Sequence, residues 1–196
     1  MLTKTQVEIL KVFVSKINKN FSIKQIAEIL NKKYPLIHRS IKPLIEEKYL
    51  LEDEQCLLSL NYRKTPSELT YLESLRTSKF LANEKTIDLF LKDCFKSLQT
   101  DFFISILFGS SVENKGRDID LLFIFNKDEL EKNEKITRNV AKNFTPKLDI
   151  NAISVESAYE MLSKREEQNV LNEILNKHLI LFGGENFYRI LNNARR

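Results

Sequence analysis

Asp118 and Asp120 stand one residue apart at the head of an apolar run, and Gly109-Ser110 stands a short loop upstream. Residues 104–125 read ISILFGSSVENKGRDIDLLFIF: an apolar strand, a Gly-Ser turn, a polar loop and a second apolar strand. Side chains alternate along a strand, so the two aspartates point to one face and Ile119 to the other. Two carboxylates held side by side repel each other unless a cation sits between them. Such hard oxygen ligands suit Mg²⁺, which takes one or two carboxylates and leaves the rest of its shell to water and substrate phosphates. A glycine backbone can approach a phosphate closely. The chain has only four glycines, Gly109, Gly116, Gly183 and Gly184, and two of them bracket this loop.

Gly-Ser, a short spacer and Asp-x-Asp between apolar strands resemble the signature of the DNA-polymerase-β-type nucleotidyltransferases, in particular their minimal members. The resemblance covers roughly residues 102–154. It implies that Gly109 and Ser110 hold the nucleotide phosphates, with Ser111 either a turn residue or a further contact. It implies that Asp118 and Asp120 bind two Mg²⁺ ions, with a third carboxylate from a later strand. Asp149, in the alternating run 147–153, is that third acid, one strand and one helix downstream of Asp120. The spacer 111–117 is shorter than in many members and carries Lys115-Gly116-Arg117. Lys115 and Arg117 are either phosphate contacts or plain loop charges.

The chain of 196 residues is long enough for one large domain or two small ones with cores of their own. Hydrophobic content of 42% and charged content of 30% indicate a soluble globular protein. No apolar run reaches the roughly 18 residues of a membrane span, and the first residues lack the apolar core of a secretory signal. Cys56 and Cys94 are isolated, and His38 and His178 are the only histidines, so a structural zinc site is not expected. Both thiols are expected as small core residues of a cytoplasmic protein. The net charge of +4 is uneven: residues 1–64 hold 12 Lys/Arg against 7 Asp/Glu, and the remainder is close to neutral. A basic N-terminal third suits a nucleic-acid partner.

Helix starts are well marked. Thr3-Lys-Thr-Gln6 and Ser22-Ile-Lys-Gln25 fit capping boxes, and Thr65-Pro-Ser-Glu68 fits a third with proline at the first helical position. Helices are expected after Thr3, after Ser22 and over 34–48, with Pro43 as a kink. A hairpin follows, from 49–51 and 56–60 around the acidic turn Glu52-Asp53-Glu54. Three helices and a hairpin resemble a winged helix-turn-helix, whose third helix enters the DNA major groove. The outward residues would be Lys32, Lys33, Tyr34, His38, Arg39 and Lys42. Arg39 or His38 would read base edges and the lysines would meet phosphates, unless this is a solvated face and the module makes protein contacts. The acidic turn departs from a basic wing.

Beyond residue 64 two connecting helices are expected. The second carries Ile87, Phe90, Leu91, Cys94, Phe95 and Leu98 on one stripe against the sheet. Asn126 is expected to cap a helix running to about 143. Two helices should fill 155–178, before a strand-like run to Gly183 and a last short helix. The expected fold is therefore α+β: a winged helix-turn-helix at 1–63, connecting helices at 64–100, and a nucleotidyltransferase-type mixed sheet with flanking helices at 101–196.

Two functional expectations follow. In the first, the protein is an Mg²⁺-dependent nucleotidyltransferase that moves a nucleoside monophosphate, AMP from ATP, to an acceptor. By resemblance the acceptor is a tyrosine of a HEPN-type toxin, with this chain as antitoxin, and a homodimer is compatible with it. In the second, the protein is a DNA-binding transcriptional regulator whose nucleotidyltransferase fold is catalytically silent and senses nucleotide.

Overall fold

A computed structural model describes residues 2–64, 66–113 and 119–195. The chain opens with helices α1 (Lys4–Val14), α2 (Ile23–Ile29) and α3 (Tyr34–Glu46). Two of the three expected capping boxes form: Thr3 Oγ1 accepts from the Gln6 amide, and the Thr3 amide donates to Gln6 Oε1 at 2.8 Å. Ser22 and Gln25 repeat the pattern. These exchanges satisfy amides that a helix start otherwise leaves bare. Pro43 lies inside α3 and removes one donor from its ladder. The helix is held by its buried stripe of Ile37, Ile41 and Leu44.

Strands β1 (Leu50–Glu52) and β2 (Leu58–Leu60) form the antiparallel hairpin. Phe21, just before α2, adds a bridge to Leu58. The hairpin turn is tied by Asp53, whose Oδ1 accepts from the amides of Gln55 and Leu57, each at 2.9 Å. The acidic turn is therefore an Asx-type turn with a structural reason of its own. Cys56 corrects the expectation of two core thiols: it is exposed, at positive φ in this turn, while Cys94 is buried.

Helix α4 (Pro66–Asn83) carries the chain across to α5 (Lys85–Ser97). Thr65, the cap of the third expected box, lies outside the described residues, and the Glu68 carboxylate is engaged by the Tyr49 hydroxyl at 3.0 Å. On α5 the stripe Ile87, Phe90, Leu91 and Cys94 is buried, and Leu98 beyond it too. Phe95 is not: it is 45% exposed and packs edge-on against Phe182.

The sheet is mixed and four-stranded, in the order β5-β4-β3-β6. Its strands are β3 (Ile104–Phe108), β4 (Ile119–Phe125), β5 (Leu148–Ser154) and β6 (His178–Phe182). The central pair β3–β4 is antiparallel, β4–β5 is parallel and β3–β6 is antiparallel. A parallel pair needs a crossover, and α6 (Leu130–Ala141) supplies it. Asn126 gives α6 no side-chain cap; a 3₁₀ turn, Lys127–Glu129, intervenes. After β5 come α7 (Val155–Ser163) and α8 (Val170–Ile174), and α9 (Gly184–Ala194) closes the chain.

The strands are apolar on both sides because both sides are covered. Leu107, Leu121, Phe123 and Ile150 belong to one buried cluster with α5. Ile104, Ile106, Leu122 and Ile124 belong to a second, which runs on through α4 and α9 into the N-terminal helices without a break. The architecture is α+β, with the hairpin module packed into the same core as one sheet face.

Candidate functional site

Gly109 follows β3 and opens the 3₁₀ turn Gly109–Glu113, at a positive φ of 73°. A Cβ built there would lie 2.8 Å from Asp120 Oδ2. Glycine is thus required twice, by backbone conformation and by the approach of a carboxylate. Ser110 is exposed in this turn and Ser111 is buried.

Asp120 is the second residue of β4, and its register partner on β5 is Asp149. Partners in neighbouring strands lie about 5 Å apart and share a face. The two carboxylates therefore stand side by side, one half-exposed and the other exposed, at one end of the sheet. Pairing extends this row across the sheet, since Phe108 partners Asp120 and His178 partners Phe108. Lys115, Gly116, Arg117 and Asp118 lie outside the described residues. Among the described residues no group of three or more His, Cys, Asp or Glu side chains comes together. Of the three expected acids, Asp120 and Asp149 are the described two, and they are neighbours.

Sequence reasoning passed over Lys177. It lines a small cavity of about 220 Å³ together with Phe108, Gly109, Val170, Glu173 and Ile174. A cation thus stands beside the Gly109 turn. A usable signal was its position just before the last apolar run, because an antiparallel β6 returns its first residue to the end of β3.

Behind this row lies a buried polar network. Glu73 on α4 is 2% exposed; its Oε1 accepts from the Tyr188 hydroxyl at 3.1 Å and lies 3.4 Å from His178 Nε2. Its Oε2 takes the Arg76 guanidinium. Burial pushes the Glu73 carboxyl up, but Arg76, His178 and Tyr188 outweigh it and hold it below its ordinary value. The Arg76 guanidinium donates to the His178 carbonyl at 2.6 Å, and the Thr77 hydroxyl to the Ile180 carbonyl at 2.7 Å. These two donors cover carbonyls along the outer edge of β6.

Lys33, just before α3, and Tyr34, His38, Arg39 and Lys42 on it are all exposed, and Tyr34 stacks on His38 with ring centroids 5.9 Å apart. Lys32 does not join them; its Nζ pairs with Glu8 of α1 at 3.1 Å.

Comparison with family models, with curated proteins and with solved structures found no match to this chain. No helix among the described residues is long and apolar enough to cross a membrane.

Proposed function

We propose that this protein is a nucleotidyltransferase of the DNA-polymerase-β type, moving a nucleoside monophosphate from a nucleoside triphosphate to a hydroxyl acceptor. The observation that carries this reading is the register pairing of Asp120 with Asp149, beside a glycine whose missing Cβ makes room for the Asp120 carboxylate. A sheet that only needed burial would place apolar or uncharged residues in adjacent strands, since like charges side by side cost stability.

The donor set fits Mg²⁺: two neighbouring hard carboxylates, with Asp118 as a third ligand by the Asp-x-Asp spacing. Bound there, the ion would neutralise phosphate charge and sharpen an attacking hydroxyl. The chain's own groups do the rest. The Gly109-Ser110 turn presents backbone to the phosphates, and Lys177 offsets the charge of the departing pyrophosphate. Asp149, the exposed member of the pair, accepts the acceptor's proton as the new bond to phosphorus forms. Positioning and charge balance account for most of the catalysis of such a transfer.

The test is calorimetric titration with a non-hydrolysable ATP analogue, with and without Mg²⁺, alongside transfer from α-labelled ATP to candidate acceptors. Asp120→Asn and Asp149→Asn should abolish metal-dependent binding and lower transfer on the order of a thousandfold, since several kcal/mol of charge stabilisation is lost. Unchanged turnover in either variant sinks the assignment. The antitoxin role, with a HEPN-type tyrosine as acceptor, is the reading to try first in choosing acceptors.

A second reading is favoured by the exposed α3 surface. In it the three helices and hairpin form a winged helix-turn-helix that binds DNA, alone or beside the transfer activity. Gel shifts with Arg39→Ala/Lys42→Ala should lose most of the binding, and wild-type binding should weaken steeply from roughly 50 to 200 mM salt. Salt-independent binding would argue against a phosphate interface on α3.

A further inference from the structure

A second cavity, of about 480 Å³, opens where α1 meets α4 and the 3₁₀ turn. Among the described residues it shares no lining residue with the small cavity beside Gly109. Three cations among the described residues face it: Lys11 from α1, and Arg76 and Lys79 from α4. Its apolar wall is Phe80, Val112 and Leu179. Nothing in folding alone calls for this convergence. Arg76 is already neutralised by Glu73. Glu8, the one carboxylate of the wall among the described residues, is paired with Lys32. Among the described residues the Lys11 and Lys79 ammonium groups have no hydrogen-bonding or ion-pair partner, although the Lys79 carbonyl accepts from the Asn83 side-chain amide at 3.2 Å. Burial, and then Lys79 and Arg76, push the Lys11 ammonium below its ordinary value, against the opposing pull of Glu8. Like charges gathered in a partly dry cleft destabilise the fold unless an anion offsets them.

We infer that this cleft is a binding site for a polyphosphate group, held by Lys11 and Lys79 between the helical module and the sheet. Two sources present that chemistry, free pyrophosphate and a nucleoside diphosphate, the second laying its base on Phe80. The ligand bridges α1 and α4, so its occupancy reports to both halves of the molecule. Because the described wall offers one carboxylate, Glu8, already paired with Lys32, the anion is held by cations and the site needs no metal. It therefore stands or falls separately from the Asp120–Asp149 site.

The experiment is calorimetry of the full chain with pyrophosphate and with ADP in EDTA, where carboxylate-held metal is absent. One equivalent should bind. Lys11→Gln/Lys79→Gln should weaken binding at least about tenfold, as loss of charge-assisted contacts predicts. Asp120→Asn/Asp149→Asn should leave it intact. Without ligand, the lysine variant should melt at or above the wild-type temperature, because repulsion has been relieved. Lys79→Gln alone, at an exposed position, should shift both readouts in the same directions. A Phe80→Ala variant that loses ADP but keeps pyrophosphate assigns a nucleotide; equal binding of the two assigns the free anion. The inference is overturned if wild type binds neither ligand in EDTA, or if the lysine variants bind as wild type does. It is overturned too if the aspartate variant loses the binding, since one shared site would then explain everything.

Discussion

At Gly109 a single missing Cβ serves two demands. Gly109→Ala would need a left-handed backbone that L-residues adopt at a cost of about 1–2 kcal/mol, and it would drive a methyl to 2.8 Å from Asp120 Oδ2. The variant should lose about that stability in urea titrations and should also weaken Mg²⁺-dependent nucleotide binding, because the carboxylate must move. A loss of stability with unchanged nucleotide binding would show that the close approach is structural only. This residue was legible as a special position from the scarcity of glycine. What the sequence did not disclose was that its neighbour across the sheet is the second aspartate of the Asp-x-Asp pair. Lys177 was passed over for a related reason: its place just before the last apolar run was the one local hint, and it takes the antiparallel return of β6 to bring it to a turn some 70 positions earlier.

Among the elements, α4 has the most to do. It connects the helical module to the sheet and covers the outer edge of β6 through Arg76 and Thr77. It also buries Glu73 against Tyr188 of α9. The Glu73 carboxyl is held below its ordinary value of 4.5. A depressed carboxylate contributes stability that is present above its unfolded pKa and lost as pH falls through the folded one. Wild type should therefore lose stability below about pH 4.5, and Glu73→Gln should show a shallower acid limb while being less stable at neutral pH. Urea midpoints across pH 3 to 7 check this, and identical acid limbs would remove Glu73 from the account. The helix itself was readable from its proline and acidic first turn. Its polar face was not: a stripe of Glu, Arg and Thr looks solvated until a strand edge is packed against it.

Across the whole molecule the two halves share one core, and polar ties reinforce the join. The Ile17 amide donates to the Leu175 carbonyl at 2.7 Å. Arg195, 5% exposed, donates to Asn18 Oδ1 at 2.7 Å, Asn172 Oδ1 at 2.8 Å and the Leu162 carbonyl at 3.2 Å. Its own carbonyl accepts from the Arg63 guanidinium at 3.1 Å. No carboxylate is among these partners, and burial lowers the guanidinium's affinity for its proton. Arg195→Ala should cost on the order of 3 kcal/mol, because buried acceptors on α7 and α8 lose a charged donor and the tie to Asn18 is cut. Chemical unfolding followed by circular dichroism measures it, and a change below about 0.5 kcal/mol would make the tie ornamental.

By itself the sequence determined the local parts. Capping boxes at Thr3 and Ser22, the hairpin turn, the apolar strands and the Asp-x-Asp pattern depend on neighbours within a few positions, where periodicity and hydrogen-bonding chemistry act. It was misleading where exposure depends on what lies opposite: Cys56 turned outward in its turn, Phe95 stayed half in water, and Lys32 folded back on Glu8. Tertiary structure alone decided which charges meet. The pairing of Asp120 with Asp149 is a matter of strand register, and the gathering of Lys11, Arg76 and Lys79 is a matter of how α1 crosses α4. Both are set by the burial of apolar faces far from the charges themselves.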